Sequence, residues 1–125
     1  MGKDWEHKFE DGILTLRFLE QYSLSELVDE LALRIQQYAP NGEQLGVLFD
    51  ATRSQSRRGF DEIYQSLPKF AQWKGQVVRF SVVVASDFHF GLTNQAGAFV
   101  EIEGIDVRPF RDTDQAVAWI REKLD

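Results

Sequence analysis

The stretch Val77–Ala85, VVRFSVVVA, gives the strongest strand signal in the chain. Its valines are β-branched and nearly continuous, which is typical of a strand that is buried on both faces of a sheet. Sheets of that kind belong to α/β proteins, in which helices cover the strands. The stretch therefore predicts a central strand of an α/β fold.

Three further strands are predicted before Val77 and one after Ala85. Asp11-Gly12 provides turn chemistry inside WEHKFEDGILTLRF, which predicts an N-terminal β-hairpin. Leu14, Leu16 and Phe18 alternate with polar residues, so these three should face one side of the sheet. The remaining two predicted strands are the short apolar run Gln44–Phe49 and the segment DVRPF at Asp106–Phe110.

Four segments have the apolar spacing of helices. The first begins at a capping box, Ser23–Glu26, and ends before Pro40-Asn41-Gly42. The second is predicted to kink or restart at Pro68, because proline lacks the amide hydrogen that continues a helix. The predicted helices run from about Leu24 to Tyr38, from Phe60 to about Lys74, from Ser86-Asp87 to Gly104, and from Asp112 to the last residues.

The predicted order of elements is β-β-α-β-α-β-α-β-α. A hairpin followed by alternating strands and helices predicts a partly parallel sheet that is covered by helices. The 125 residues suit one domain, and the sequence has no internal repeat or linker that would divide it. The fold class is therefore α/β, with one domain over residues 1–125.

Composition excludes several classes of function. A net charge of −6 opposes binding to nucleic acid and to anionic membrane surfaces. The absence of cysteine removes thiol catalysis, zinc–thiolate sites and disulfides. No apolar run is long enough to span a membrane as a helix, and no signal-peptide pattern follows Met1, so we expect a cytoplasmic protein.

Three motifs together resemble the SpoIIAA-like group of bacterial proteins, whose fold is of the STAS and CRAL-TRIO type. They are VLFDATR, which ends a buried strand at Asp50, then VVVASDFHFGL, and then VRPFRDTDQAVAWIREKL. The resemblance implies a four- or five-stranded mixed sheet with the N-terminal hairpin and about four helices. Members of the group are mostly uncharacterised.

Relatives of that group act as anti-sigma-factor antagonists or bind apolar small molecules. The antagonists carry a phosphorylatable serine in an Asp-Ser-(Ser/Thr)-Gly signature after the second core strand. Asp50 matches the first position, but alanine follows it, and Ser54 and Ser56 are offset and flanked by arginines. The resemblance thus implies a related binding domain without the expected phosphoserine signature.

Open α/β sheets bind ligands beyond the carboxyl ends of their parallel strands. In this sequence those ends would bring together the segments 50–58, 86–90 and 110–112. The predicted ligand- or partner-binding residues are Asp50, Arg53, Ser54, Arg57, Arg58, Ser86, Asp87, Phe88, His89, Phe90 and Arg111.

Several chemistries are open to this cluster. His89 could act as a general base if Asp87 or Asp112 oriented it, although Asp87 as a helix cap is the simpler interpretation. Asp50, Asp87 and Asp112 could bind a cation only if they converged, so no metal or other cofactor is predicted. Sequence motifs for a nucleophile elbow, a phosphate-binding loop or a dinucleotide site are absent.

The arginine-rich loop and the aromatic pair also leave alternatives open. Arg53, Arg57 and Arg58 could hold a phosphate or carboxylate, including a phosphate on Ser54 or Ser56, or the loop could simply be solvated. Phe88 and Phe90 could cover an apolar pocket, pack under the loop or form a dimer contact.

The leading hypothesis is a non-enzymatic domain that binds a protein partner at the strand ends. One alternative is a carrier of a small apolar or anionic ligand, and another is a weak hydrolase centred on His89. We also expect a homodimer, because small domains with exposed aromatic residues often self-associate.

Overall fold

A five-stranded mixed sheet forms the centre of the protein. The computed structural model describes residues 5–18, 24–52, 68–85 and 105–124. The strands lie side by side in the order of the sequence, with β1 antiparallel to β2 and strands β2 to β5 all parallel. Their bounds are β1 Trp5–Glu10, β2 Ile13–Phe18, β3 Leu45–Asp50, β4 Val77–Val83 and β5 Asp106–Phe110.

Helices in the described residues lie against this sheet. They are α1, Leu24–Tyr38, and α2, Thr113–Leu124, together with a short 3-10 helix at Ala71–Trp73. None of the helices in the described ranges is long and apolar enough to cross a membrane. The predictions of the first helix, the last helix and the five-stranded mixed sheet are therefore confirmed.

The N-terminal hairpin turns through two residues with positive φ. Asp11 has φ 54° and Gly12 has φ 79°, and Glu10 pairs directly with Ile13. Positive φ at both central positions is the geometry of a type I′ turn, whose twist matches that of the flanking strands. The Asp-Gly pair therefore explains both the position of the turn and the register of the hairpin.

Two apolar layers cover opposite faces of the sheet. On one face, Leu14 and Leu16 of β2 pack with Leu31 and Ile35 of α1. The side chain of Phe18, which was expected on the same face, lies outside the described ones. The other face packs against α2, through Ile13, Leu48, Val83, Ala116, Trp119 and Ile120.

Helix α2 lies very close to β3 at one point. Gly46 of β3 faces Ile120, and a Cβ atom placed on Gly46 would overlap Ile120 Cγ2. Cγ2 is bonded directly to the branched Cβ of Ile120, so it has little freedom to move away. Glycine is therefore required at position 46 because of the close approach and not because of its backbone angles.

Arg79 and Trp119 join β4 to α2. Arg79 Nη1 donates a 2.6 Å hydrogen bond to the Trp119 carbonyl and lies 3.2 Å from Glu122 Oε1. The guanidinium groups of Arg79 and Arg108 lie 4.6 and 5.0 Å from the centre of the Trp119 ring. Trp119 is buried in the apolar layer between the sheet and α2.

Two strand boundaries differ from the predictions, and two helices fall wholly or partly outside the described residues. β3 includes Asp50, and the paired part of β4 ends at Val83, two residues before Ala85. Of the helix predicted from Phe60 to Lys74, only the part from Pro68 is described; it contains a helical turn and the 3-10 helix. The helix predicted from Ser86-Asp87 to Gly104 lies outside the described residues.

Candidate functional site

The carboxyl ends of β3, β4 and β5 lie side by side. Asp50 pairs with Val83, and Val83 pairs with Phe110. Neighbouring strands are about 4.8 Å apart, so the ends of β3 and β5 are separated by roughly 10 Å. The carboxyl ends of β3, β4 and β5 therefore form one short edge of the sheet. Open α/β sheets bind their ligands at an edge of this kind.

Asp50 is buried at this edge, with 6% of its surface exposed. Its Oδ1 accepts hydrogen bonds from the Thr52 backbone N at 3.0 Å and from Thr52 Oγ1 at 2.6 Å. Its Oδ2 accepts a 2.9 Å hydrogen bond from Arg17 Nε on the neighbouring strand β2. Asp50 thus fixes the first two residues of the segment that follows β3.

The pKa of Asp50 is lowered from its ordinary value of 3.8. Burial is the largest single effect, and it acts to raise the pKa because it penalises the charged carboxylate. The hydrogen bonds from Thr52, and the hydrogen bond and positive charge of Arg17, together outweigh that penalty. Asp50 is therefore held as a carboxylate and is poorly suited to act as a general acid near neutral pH.

Arg17 extends this contact across the hairpin. Its Nη1 lies 3.5 Å from Glu6 Oε1 on β1, while its Nε bonds Asp50 on β3. Half-exposed Arg17 therefore connects three neighbouring strands on the α2 side of the sheet. Arg17 was not among the residues predicted for the site. Its one signal in the sequence is the alternation with Leu16, which places it on the less apolar face of β2.

Arg111 and Asp112 follow the end of β5. Arg111 Nη2 donates a 3.3 Å hydrogen bond to the Ala85 carbonyl, so it bridges the segments that leave β4 and β5. Asp112 Oδ1 accepts bonds from the backbone N of Asp114 at 2.7 Å and of Gln115 at 3.4 Å. These contacts make Asp112 the N-terminal cap of α2, as the sequence predicted.

The structure places Asp50 and Arg111 of the predicted site at the same edge of the sheet. The other predicted residues lie outside the described ones, so both the arginine-rich loop and the proposed base His89 stay predictions. Within the described ranges, no group of three or more His, Asp or Glu side chains could hold a metal ion. The residues outside are Arg53, Ser54, Arg57, Arg58, Ser86, Asp87, Phe88, His89 and Phe90.

A groove of about 290 Å³ runs between β2 and α2 beside Asp50. Thr15 and Arg17 of β2 line one wall, and Thr113, Val117 and Arg121, four residues apart on α2, line the other. Arg121 Nη2 also bonds Asp11 Oδ2 at 2.8 Å, which closes the groove toward the hairpin turn. The charged side chains around the groove are largely paired, and the apolar side chains of Ile13, Leu48 and Val117 also line it.

The other histidine, His7, lies on the opposite face of the hairpin. Its Nδ1 is 2.9 Å from the hydroxyl of Tyr38 at the end of α1. The Tyr38 ring also stacks on Phe9, with 5.2 Å between the ring centres. His7 is therefore part of the contact between β1 and α1, on the opposite face of the sheet from Asp50.

Comparisons with known proteins support the fold. No family model matches this sequence, and no curated protein matches it. A crystal structure of an uncharacterised protein of the DUF3478 family, from Shewanella loihica PV-4, has a SpoIIAA-like fold and superposes with a TM-score of 0.65. It is 12% identical in sequence, over 95% of this chain and 94% of that chain. The protein therefore has a SpoIIAA-like fold along nearly its whole length, as the sequence motifs implied.

Proposed function

We propose that this protein is a binding domain whose partner is another protein, seated over the carboxyl ends of β3, β4 and β5. The observation that carries the proposal is the alignment of these three strand ends, with Asp50 buried and hydrogen-bonded at the first of them. Such an edge presents three chain segments to a partner at once, and parallel α/β sheets bind at this edge.

The contacts of Asp50 favour a role in positioning over a role in chemistry. Both of its carboxylate oxygens already accept hydrogen bonds from Thr52 and Arg17. A side chain with its lone pairs engaged in this way is not free to take a substrate proton, but it gives the segment beginning at Arg53 a defined starting direction. The arginines of that segment and the segment 86–90 would then form the two walls of the binding surface.

A protein partner suits this edge better than an apolar cargo does. The described groove next to Asp50 is small for a ligand pocket, and charged and hydroxyl side chains line it together with Ile13, Leu48 and Val117. Arg111 is exposed at the same edge, and arginine is enriched in surfaces that bind proteins. Acidic side chains on a partner would complement Arg111 and the arginines at positions 53, 57 and 58.

Affinity capture with charge-reversed variants tests the proposal. The purified protein, its Arg57→Glu/Arg58→Glu variant and a Lys69→Glu/Lys74→Glu control are each used to capture proteins from a host lysate, with quantification by mass spectrometry. The control changes the same charge at exposed residues before β4, at the opposite edge of the sheet. We expect a partner that the wild type and the control retain and that the strand-end variant loses by at least about tenfold.

Two results would count against a protein partner at this edge. One is an identical set of captured proteins from all three forms. The other is a small molecule that stays bound in a one-to-one ratio in native mass spectra of the purified protein and is lost from the strand-end variant. The second result would identify a ligand carrier instead.

A further inference from the structure

The outer edge of β1 is an open edge of the sheet. Within the described ranges, β1 pairs with β2 on one side and with no strand on the other. Its six residues pair with β2 without a bulge, which leaves a regular row of backbone groups. The opposite edge strand, β5, contains Pro109, and proline is a common device that prevents pairing at sheet edges.

The hairpin turn determines which backbone groups of β1 point outward. In a two-residue hairpin, the residues that flank the turn form a hydrogen-bonded pair, and such pairs then alternate along the strands. Glu10 and Ile13 are that pair, so the N–H and C=O groups of Glu6, Lys8 and Glu10 point toward β2. The corresponding groups of Trp5, His7 and Phe9 point toward the open edge.

The side chains at this edge combine charge with one exposed aromatic ring. Glu6, Lys8 and Glu10 share the α2 side of the sheet, and their side chains are between 59% and 68% exposed. Phe9 lies on the α1 side, where 36% of it is exposed. Large hydrophobic side chains are otherwise exposed in the described residues only at Leu33 on α1, so Phe9 adds apolar area to this edge.

We propose that two copies of this protein pair through β1 as antiparallel strands, centred on His7. In this arrangement Glu6 of each copy lies directly opposite Lys8 of the other, so two charge-complementary pairs form on one face. The residue pairs Trp5 with Phe9, His7 with His7 and Phe9 with Trp5 then hydrogen-bond through the backbone, with about six bonds in all. The result is one continuous sheet of two five-stranded halves.

Neighbouring registers are poorer in their charge pairs or in their backbone hydrogen bonds. Pairing centred on Lys8 would place Lys8 opposite Lys8 and Glu6 opposite Glu10, which are like charges. Pairing centred on Phe9 would leave only one hydrogen-bonded pair wholly inside β1. A shift by a single residue would set outward-pointing groups against inward-pointing ones, so that no regular ladder could form.

Charge reversal tests the proposed register. The molar mass of the wild type is measured by analytical ultracentrifugation over a wide range of concentrations at low salt, beside Glu6→Lys, Lys8→Glu and a Lys74→Glu control. For the wild type and the control we expect a rise toward twice 14.4 kDa, with a dissociation constant in the micromolar range because a strand edge is a small interface. Each single reversal at β1 should weaken the dimer by about tenfold, since two pairs become repulsive.

A mixture of the two single variants gives the decisive result. Glu6→Lys and Lys8→Glu restore both opposite-charge pairs only with each other, so the mixed sample should dimerise at least as well as the wild type. The double variant Glu6→Lys/Lys8→Glu should dimerise with itself for the same reason. Circular dichroism of each variant checks that the exposed substitutions leave the fold intact.

The proposal is overturned if the wild type remains a monomer at all concentrations. It is also overturned if the single variants dimerise as well as the wild type, or if mixing them gives no gain over either one alone. These results concern only self-association through β1. The proposed partner surface at the ends of β3 to β5 is tested separately, by affinity capture.

Discussion

Both carboxylate oxygens of Asp50 are engaged within the chain, and this defines what the residue does. Oδ1 holds Thr52, and Oδ2 holds Arg17 of the next strand. A buried carboxylate without such partners would be costly, so the contacts keep the group charged and in place. At the scale of the residue, Asp50 holds the start of the segment after β3 in place through its hydrogen bonds to Thr52 and Arg17.

Replacing Asp50 with asparagine tests this role through its dependence on pH. Because the folded pKa lies below the ordinary value of 3.8, the charged form stabilises the fold fully above that value. The stabilisation is lost as the pH falls through the lower folded pKa. We expect Asp50→Asn to reduce the free energy of unfolding by about 2 kcal/mol at pH 6.5, from its charge-assisted hydrogen bonds.

Urea unfolding of the wild type and Asp50→Asn at pH 6.5 and at pH 3 measures the effect. The difference between the two should become smaller at pH 3, which lies below the ordinary pKa of 3.8, because Asp50 of the unfolded wild type then binds a proton more readily than Asp50 of the folded form. Glu10→Gln is the control, because Glu10 is an exposed carboxylate on the same side of the sheet. A difference that is equally large at both pH values would show that the charge of Asp50 is not what stabilises the fold.

At the scale of the element, the contact between β3 and α2 depends on one glycine, Gly46. Gly46 sits beneath Ile120, and both belong to the layer that holds α2 on the sheet. Protein interiors are packed so densely that one added methyl group cannot be absorbed without a shift of the backbone or a strained side chain. The distance between α2 and β3 is thus set by the absence of a side chain at position 46.

We expect Gly46→Ala to lower the free energy of unfolding by about 1–3 kcal/mol. Ile120→Ala should lower it by about 2–5 kcal/mol, because it leaves a cavity in a fully buried position. The double variant should be more stable than the sum of the two losses predicts, since the new methyl group enters the space that Ile120 leaves. Additive losses in chemical denaturation would contradict the close approach.

Hydrogen exchange along β1 tests the alternation that the hairpin turn imposes. In dilute solution, the amides of Lys8 and Glu10 should exchange slowly because they bond to β2, and those of His7 and Phe9 should exchange rapidly. Nuclear magnetic resonance resolves the four amides separately. Slow exchange at His7 and Phe9 and rapid exchange at Lys8 and Glu10 would show that the open edge is formed by the other set of backbone groups.

At the scale of the whole molecule, the described residues cover the two faces of the sheet to different extents. Helix α2 packs on β3, β4 and β5 and reaches Ile13 of β2, whereas Glu6, Lys8 and Glu10 on the same side of β1 are exposed. On the other face, α1 and the segment around Trp73 join a larger apolar cluster. This asymmetry leaves the molecule with two candidate contact regions, the strand ends of β3 to β5 and the outer edge of β1.

Much of the architecture could be predicted from local patterns. The spacing of Leu27, Leu31 and Ile35 gave α1 with its observed bounds, and Asp11-Gly12 gave the hairpin turn. Boundaries were less accurate at β3 and β4, since strand ends depend on pairing with neighbours and not on the apolar run alone. Asp50 and Arg111 were expected at the carboxyl ends of parallel strands and lie there, but the sequence did not reveal that the carboxylate of Asp50 faces inward to Arg17.

The sequence by itself determined the periodic features of the described residues: the strands, the first and last helices, the position of the hairpin turn, and a partly parallel sheet. These follow from side-chain spacing and backbone preferences that act over a few residues. Only the tertiary structure decided that Arg17 reaches Asp50, that Gly46 lies beneath Ile120, and that Arg121 of α2 bonds Asp11 at the hairpin turn. Those contacts join residues far apart in the chain, and they depend on how the helices pack across the sheet, which no local pattern encodes.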